Sequence, residues 1–93
     1  MKIEFDPAKS EKNARERGLP FEMVEAFEWE TAVSSEDTRF PYPEVRFTAL
    51  GFIGQRLHVV CFMAISGGIR VISFRKANKR EGRRYEEEKA IDE

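Results

Sequence analysis

The sequence predicts an α+β fold: a small, mainly antiparallel sheet with two N-terminal helices and a C-terminal helix. Three observations predict it. Residues 45–75 hold three successive strand-like runs punctuated by Gly54 and by Gly67-Gly68, the pattern of a hairpin meander. Polar segments with helix start and stop signals flank that block, one from Asp6 to Gly18 and one from Ala77 to Lys89. Between the first of these and the strands, Phe21, Val24 and Phe27 recur three apart, with Met23 and Ala26 widening one apolar face.

Taken in order, Lys2-Ile3-Glu4-Phe5 alternates polar and apolar and reads as a short half-buried strand. Asp6 before Pro7 is a helix start, because the carboxylate accepts from free N–H groups and proline fits the first turn. Ala8 to Arg17 is then a polar helix, ended by Gly18. A second helix follows Pro20. Thr31-Ala32-Val33-Ser34 reads as a weak strand, Ser35-Glu36-Asp37-Thr38 as a turn, and Pro41 with Pro43 as the mark of an irregular, mobile loop. Strands follow at Val45–Ile53, Leu57–Ile65 and Ile69–Arg75. Val59-Val60-Cys61-Phe62 and Val71-Ile72-Ser73-Phe74 are apolar on both faces, so these two strands are central and covered on both sides. Ala77 to Lys89 closes the chain as a helix, with Asn78 or Ala77 near its start.

Ninety-three residues suit one domain, 1–93, with a modest core to which eight Phe and one Trp contribute. No stretch approaches the roughly 20 apolar residues that cross a bilayer, so no membrane is expected. Acids stand in Met1–Pro7 where a signal peptide needs an apolar run, and the expected compartment is the cytoplasm. A single cysteine, Cys61, excludes an internal disulfide framework and a multi-cysteine zinc site. The net charge of −1 says little, whereas its distribution is informative. Residues 45–84 carry nine Lys/Arg against the single Glu81, a net of +8, inside an otherwise acidic chain. A basic block of this kind is a footprint for a polyanion.

Most of the informative residues lie between Arg70 and Glu86. Arg70 and Arg75 bracket a strand, and Lys76, Lys79, Arg80, Arg83 and Arg84 follow. Arg80 and Arg84 are four apart on one helical face, a like-charge pair that costs a few tenths of a kcal/mol unless an anion lies between them. Cations in the first turn also oppose the helix dipole. Arginine suits phosphate because its planar fork engages two oxygens at once.

The chain resembles the BrnT family of bacterial toxins. The resemblance runs through Phe5-Asp6-Pro7-Ala8-Lys9 with Asn13, Gly18 and Phe21-Glu22, then Glu44-Val45-Arg46 with Gly51, and Leu57-His58-Val59-Val60. It is strongest at Arg70 to Asn78, Arg80-Glu81 and Tyr85-Glu86. Arg17 stands before the helix-ending Gly18, where the family commonly has histidine. This resemblance implies a RelE-like ribonuclease fold, RNA as substrate and cleavage that halts translation. It also implies neutralisation by a BrnA-like ribbon-helix-helix antitoxin, with operator DNA bound only through the complex.

Cleavage through the ribose hydroxyl needs a base near the 2′-OH, cations around the phosphate and an acid for the leaving oxygen, but no metal or cofactor. Arg70, Arg75 and Arg46 are the candidates for phosphate and transition-state charge. Glu44 or Glu81 is the candidate base, with Tyr85 to orient it or donate a proton. Lys76, Lys79, Arg80, Arg83 and Arg84 are the candidate RNA contacts.

Each assignment has a structural competitor. Glu81 can simply pair with arginines, Tyr85 can anchor the last helix, and Glu44 with Arg46 can be an ion pair on one strand face. Cys61 and Trp29 read as core, and His58 as a strand-edge position despite a side chain suited to proton transfer. A rival function also stands: a non-catalytic basic module that docks a DNA-binding partner in a regulatory complex.

Overall fold

The computed structural model describes residues 1–92. Its elements run β1 (Lys2–Glu4), α1 (Pro7–Arg17), two 3₁₀ turns (Phe21–Ala26 and Trp29–Thr31), β2 (Val33–Glu36), β3 (Phe47–Ile53), β4 (Arg56–Ile65), β5 (Gly68–Lys76) and α2 (Lys79–Asp92). The strands form one sheet in the order β1-β5-β4-β3-β2. Its four C-terminal strands pair antiparallel, and β1 adds to β5 in parallel. The expected α+β class with a mainly antiparallel sheet is therefore what the chain forms. Among the described residues, no helix is long and apolar enough to cross a membrane.

Helix α1 begins and ends as its sequence dictates. Asp6 accepts from the Ala8 N–H at 2.9 Å, Pro7 opens the first turn, and Gly18 sits at φ 70° with its N–H on the Ala14 carbonyl. The segment after Pro20 differs from the expected second α-helix, being a 3₁₀ helix. Its spacing explains this: Phe21, Val24 and Phe27 recur every three residues, and in a 3₁₀ turn such residues stack on one side. All three are buried against the sheet with Leu19. The Ser10 hydroxyl accepts from the Phe21 N–H and donates to Glu22, both at 2.8 Å, fastening α1 to this segment.

Several boundaries also moved, among them that of α2, which starts at Lys79 rather than Ala77. Ser35 and Glu36, expected in a turn, belong to β2, whose register runs from Val33↔Leu50 to Glu36↔Phe47. Strand β3 starts at Phe47 rather than Val45, because Arg46 has turned away to stack 4.1 Å over the Tyr42 ring. Its carbonyl meanwhile accepts from the Asp37 N–H at 2.7 Å, closing the loop across the strand ends.

Side-chain alternation divides the sheet into two faces. Ala49, Val60, Ile69, Val71 and Phe74 lie on one, under Leu19, Phe21, Val24 and Phe27. On the other, Leu50, Val59 and Ala77 form a smaller cluster with Leu57 and Tyr85, where α2 docks. That second cluster covers only part of its face.

Gly51 is required by the first of these packings. A Cβ at that position would come within 2.5 Å of the Phe27 ring, which is itself only 4% exposed. Gly51→Ala should therefore lower the unfolding free energy by about 1–3 kcal/mol through overpacking. Urea titration followed by circular dichroism measures it, and an unchanged midpoint would mean that Phe27 yields freely.

Candidate functional site

The part of the second face that α2 leaves uncovered has an unusual floor. Ser35, Thr48, Cys61 and Ser73 stand opposite one another across β2, β3, β4 and β5, one small side chain per strand. Around this row opens a polar cleft of about 390 Å³. Asp37 and Arg39 form one wall, beyond the end of β2, while Arg75, Glu81 and Arg84 form the other.

Arg75 reaches this cleft because of a β-bulge. Cys61 pairs with Ser73 but its neighbour Phe62 pairs with Val71, so Ile72 has no partner on β4. The extra residue reverses the alternation of β5. Ile69, Val71 and Phe74 all enter the same core cluster, whereas Ser73 and Arg75 point into the cleft. Asn13 of α1 secures the strand beyond the bulge, its amide donating to the Phe74 carbonyl at 2.9 Å and the Leu19 carbonyl at 2.8 Å.

Glu81 holds Arg75 in place. Nη1 and Nη2 of Arg75 donate to its two carboxylate oxygens at 2.8 and 2.7 Å. The same carboxylate accepts from the Asn78 N–H, and the Asn78 side chain accepts from the Glu81 N–H, both at 2.9 Å. This is a capping box with asparagine as its first residue. One carboxylate thus starts α2 and orients the arginine. Hydrogen bonds from Arg75 hold the Glu81 carboxyl below its ordinary range, burial opposing them, and those same bonds raise Arg75.

A second arginine fork faces the first. The Asp37 side chain is 2% exposed and accepts from Nε and Nη2 of Arg39, each at 2.9 Å. The Arg39 N–H and the Tyr42 hydroxyl also donate to it, at 3.2 and 3.3 Å. These bonds, led by the Arg39 side chain, hold the carboxyl at about 2. The sequence marked Asp37 only as part of a turn and did not single out Arg39. Their only local signal was an aspartate two residues before the N–H that it accepts, the pattern of an Asx turn.

The remaining candidates scatter. Arg84 lines the cleft and pairs with Glu88 at 3.1 Å. Lys76, Lys79, Arg80 and Arg83 are exposed around the start of α2 and form no ion pair among the described residues. Arg70 lies toward the other end of β5, paired with Glu4 of β1 at 2.7 Å. Glu44 and Arg46 pair with each other at 2.6 Å, in the loop before β3 rather than on its face. Tyr85 packs edge-on against Phe52 and donates to the Thr31 carbonyl at 3.0 Å, an anchor for α2. Trp29 packs between Phe27 and Phe62 beside the core. Cys61 is part of the cleft floor, its thiol pushed up by burial. Among the described residues, no group of three or more His, Cys, Asp or Glu side chains is placed to hold a metal ion.

His58 occupies a buried place rather than a strand edge. It is 3% exposed, lies over Phe74, and bonds through Nδ1 to the Arg56 carbonyl at 2.8 Å. A carbonyl accepts only, so Nδ1 carries the proton of a neutral ring. Burial lowers its pKa from 6.5, with nearby Arg56 and Lys76 adding to the effect. The unfolded chain therefore binds a proton that the native chain refuses, and stability falls as pH drops below about 6.5, levelling off below the native value. Urea midpoints measured from pH 8 to pH 5 should show this decline, and His58→Gln should flatten it. A wild-type midpoint that stays constant across that range would contradict a neutral buried His58.

No curated protein and no solved structure matches the chain. The family described as ribonuclease toxin, BrnT, of type II toxin-antitoxin system matches residues 5–81. That span takes in the core under α1, the bulge, the cleft floor, and both Arg75 and Glu81. It covers well over half of the sequence, and the chain belongs to the BrnT family of ribonuclease toxins of type II toxin–antitoxin systems.

Proposed function

We propose that this toxin, acting as one domain in the cytoplasm, cuts RNA in the cleft at Arg75 and Glu81 without a metal, and so stops translation. The observation that carries this reading is the Arg75 fork, re-aimed by the bulge and fixed on Glu81 at the wall of a polar cleft. Guanidinium groups fixed before substrate arrives stabilise developing phosphate charge without reorganising.

The chemistry follows from these groups. The Arg75 fork stays on Glu81 through Nη1 and Nη2 while its remaining donors take a backbone phosphate. Glu81, kept ionised by its lowered pKa, then accepts the 2′-OH proton. The bond from O2′ to phosphorus forms, the bond to the 5′ oxygen breaks, and that oxygen takes a proton from solvent. The products are a cyclic phosphate and a 5′-hydroxyl end. Arg84 adds positive charge at the same wall, and Lys76, Lys79, Arg80 and Arg83 lead the strand away over α2. Arg70, Glu44, Arg46 and Tyr85 have supporting roles, through the ion pairs and the helix anchor that each makes.

The sheet, with the N-terminal helical segment on one face and the C-terminal helix on the other, supports likeness to RelE-type ribonucleases. A BrnA-like ribbon-helix-helix antitoxin is the partner we assign. Its contact with the basic surface of α2 shields RNA-binding charge, and the complex reads operator DNA.

Arg75→Ala should cost about 100- to 1,000-fold in cleavage rate, as loss of an oxyanion donor does, with the fold retained. Arg70→Ala should cost far less. Cleavage of a short RNA by the purified chain should persist in excess chelator and leave cyclic phosphate ends. Inhibition by chelator, reversed by magnesium, would overturn the mechanism.

On operator DNA the toxin alone should bind weakly, without sequence preference, and lose most of its affinity as salt rises. Gel shifts of toxin, antitoxin and complex at two salt concentrations test this. Salt-resistant, operator-specific binding by the isolated toxin would favour the docking-module reading instead.

A further inference from the structure

The loop that follows β2 carries features that cleavage at Arg75 does not use. Asp37 spends four hydrogen bonds in burying its carboxylate beside the cleft, and two of them come from the Arg39 guanidinium. Those two bonds use Nε and one Nη2 donor, while the Arg39 side chain stays 74% exposed. Of the five donors of a guanidinium, the remaining three face outward beside the cleft. A charged fork held by a buried acid and aimed at solvent has the form of a phosphate site rather than of a stabilising surface pair.

The next residue in the loop is Phe40, 62% exposed. Its ring meets Tyr42 edge-on at 5.8 Å, and the Arg46 guanidinium lies over Tyr42 from 4.1 Å. The loop is thus braced from behind while one aromatic face stays open. An exposed aromatic ring one residue along the loop from an anchored cation matches a nucleotide, which offers a π-face and a phosphate together.

We infer that Asp37, Arg39 and Phe40 form a second nucleotide subsite, which takes the unpaired RNA nucleotide neighbouring the one held at Arg75. Arg39 binds its phosphate and Phe40 stacks its base. The inference rests on the reading of the cleft as an RNA site and extends it from one phosphate to two. Because every base has a stacking face, this subsite selects single strands over duplex and exerts little preference among bases.

The test is fluorescence anisotropy of the full chain with a labelled single-stranded RNA blocked by 2′-O-methyl groups, at several salt concentrations. Phe40→Ala should weaken binding by about 5- to 100-fold, the range for loss of one stacked base, with an unchanged salt slope. An abasic nucleotide at one position of the RNA should erase that difference. The Asp37→Asn/Arg39→Ala double variant, which removes the buried charge together with its partner, should reduce the salt slope by about 0.7, the share of one single-strand phosphate. Arg39→Lys should keep the slope and lose affinity, since the point charge remains without the fork. Thermal melting checks that each variant is folded, and exposed Phe40 offers a test independent of Asp37.

If Arg75→Ala weakens binding while all loop variants match wild type, the second subsite is wrong and the cleavage site stands. Failure of the wild-type chain to bind RNA at all would remove both. Unchanged RNA binding with loss of the antitoxin complex would give this corner to the protein partner and overturn the RNA assignment.

Discussion

Between Cys61 and Phe62 the ladder joining β4 to β5 slips by one residue, and the placement of Arg75 at the polar cleft depends on that slip. Without it, continuing the alternation from Ile69 and Val71 would send Ser73 and Arg75 into the core and Phe74 to the other face. Losing full burial of a phenylalanine forfeits about 1.5–3 kcal/mol. Burying an unpaired guanidinium costs far more. The unpaired Ile72 lets Phe74 stay 1% exposed while Arg75, one residue later, reaches the polar face. Core packing and site geometry are satisfied by the same irregularity, and Asn13 holds the strand just past it.

The cleft is organised by carboxylates that each serve one arginine. Glu81 links Arg75 to the first turn of α2 through the capping box, so the helix and the arginine are positioned together. Asp37 does the same on the opposite wall, joining Arg39 and Tyr42 in a loop otherwise shaped by Pro41 and Pro43. Neither pair is a simple surface bridge, since one partner in each is mostly withdrawn from water, Glu81 at 20% and Asp37 at 2% side-chain exposure. Partial burial strengthens the electrostatic hold and fixes the fork direction. Hydrogen bonds from the arginines hold both carboxyls below their ordinary range.

The two faces of the sheet divide the labour. The larger cluster under Leu19–Phe27 supplies cohesion, with Gly51 leaving room for the Phe27 ring. On the other face, α2 covers only Leu50, Val59 and the Tyr85 contact, so a row of small polar side chains is left open as a floor. Small residues there keep the floor low between the two forks. The basic residues of α2 without ion-pair partners among the described residues continue the same surface outward.

By itself, the sequence determined the α+β class, the caps of α1 at Asp6 and Gly18, the three long strands, and the family. Those features are local or periodic: a cap is decided within a few residues, and alternation announces a strand wherever it stands. It also marked Arg75 and Glu81, because they fall in a dense run of charge. Tertiary structure alone decided the rest. The three-residue spacing of Phe21, Val24 and Phe27 fits a helix of either kind until the sheet shows how little room there is beneath it. Arg70 and Arg75 look equivalent at two ends of one strand, yet Glu4 of β1 holds Arg70 at one end while the bulge at Ile72 turns Arg75 to the cleft and Glu81 at the other. His58 looked like an edge because its neighbour Arg56 is polar, but its ring is buried over Phe74 from an adjacent strand. Asp37 and Arg39 stayed hidden for the same reason. Their significance lies in the wall that they form opposite Arg75, a residue far from them in sequence and brought near only by pairing across four strands.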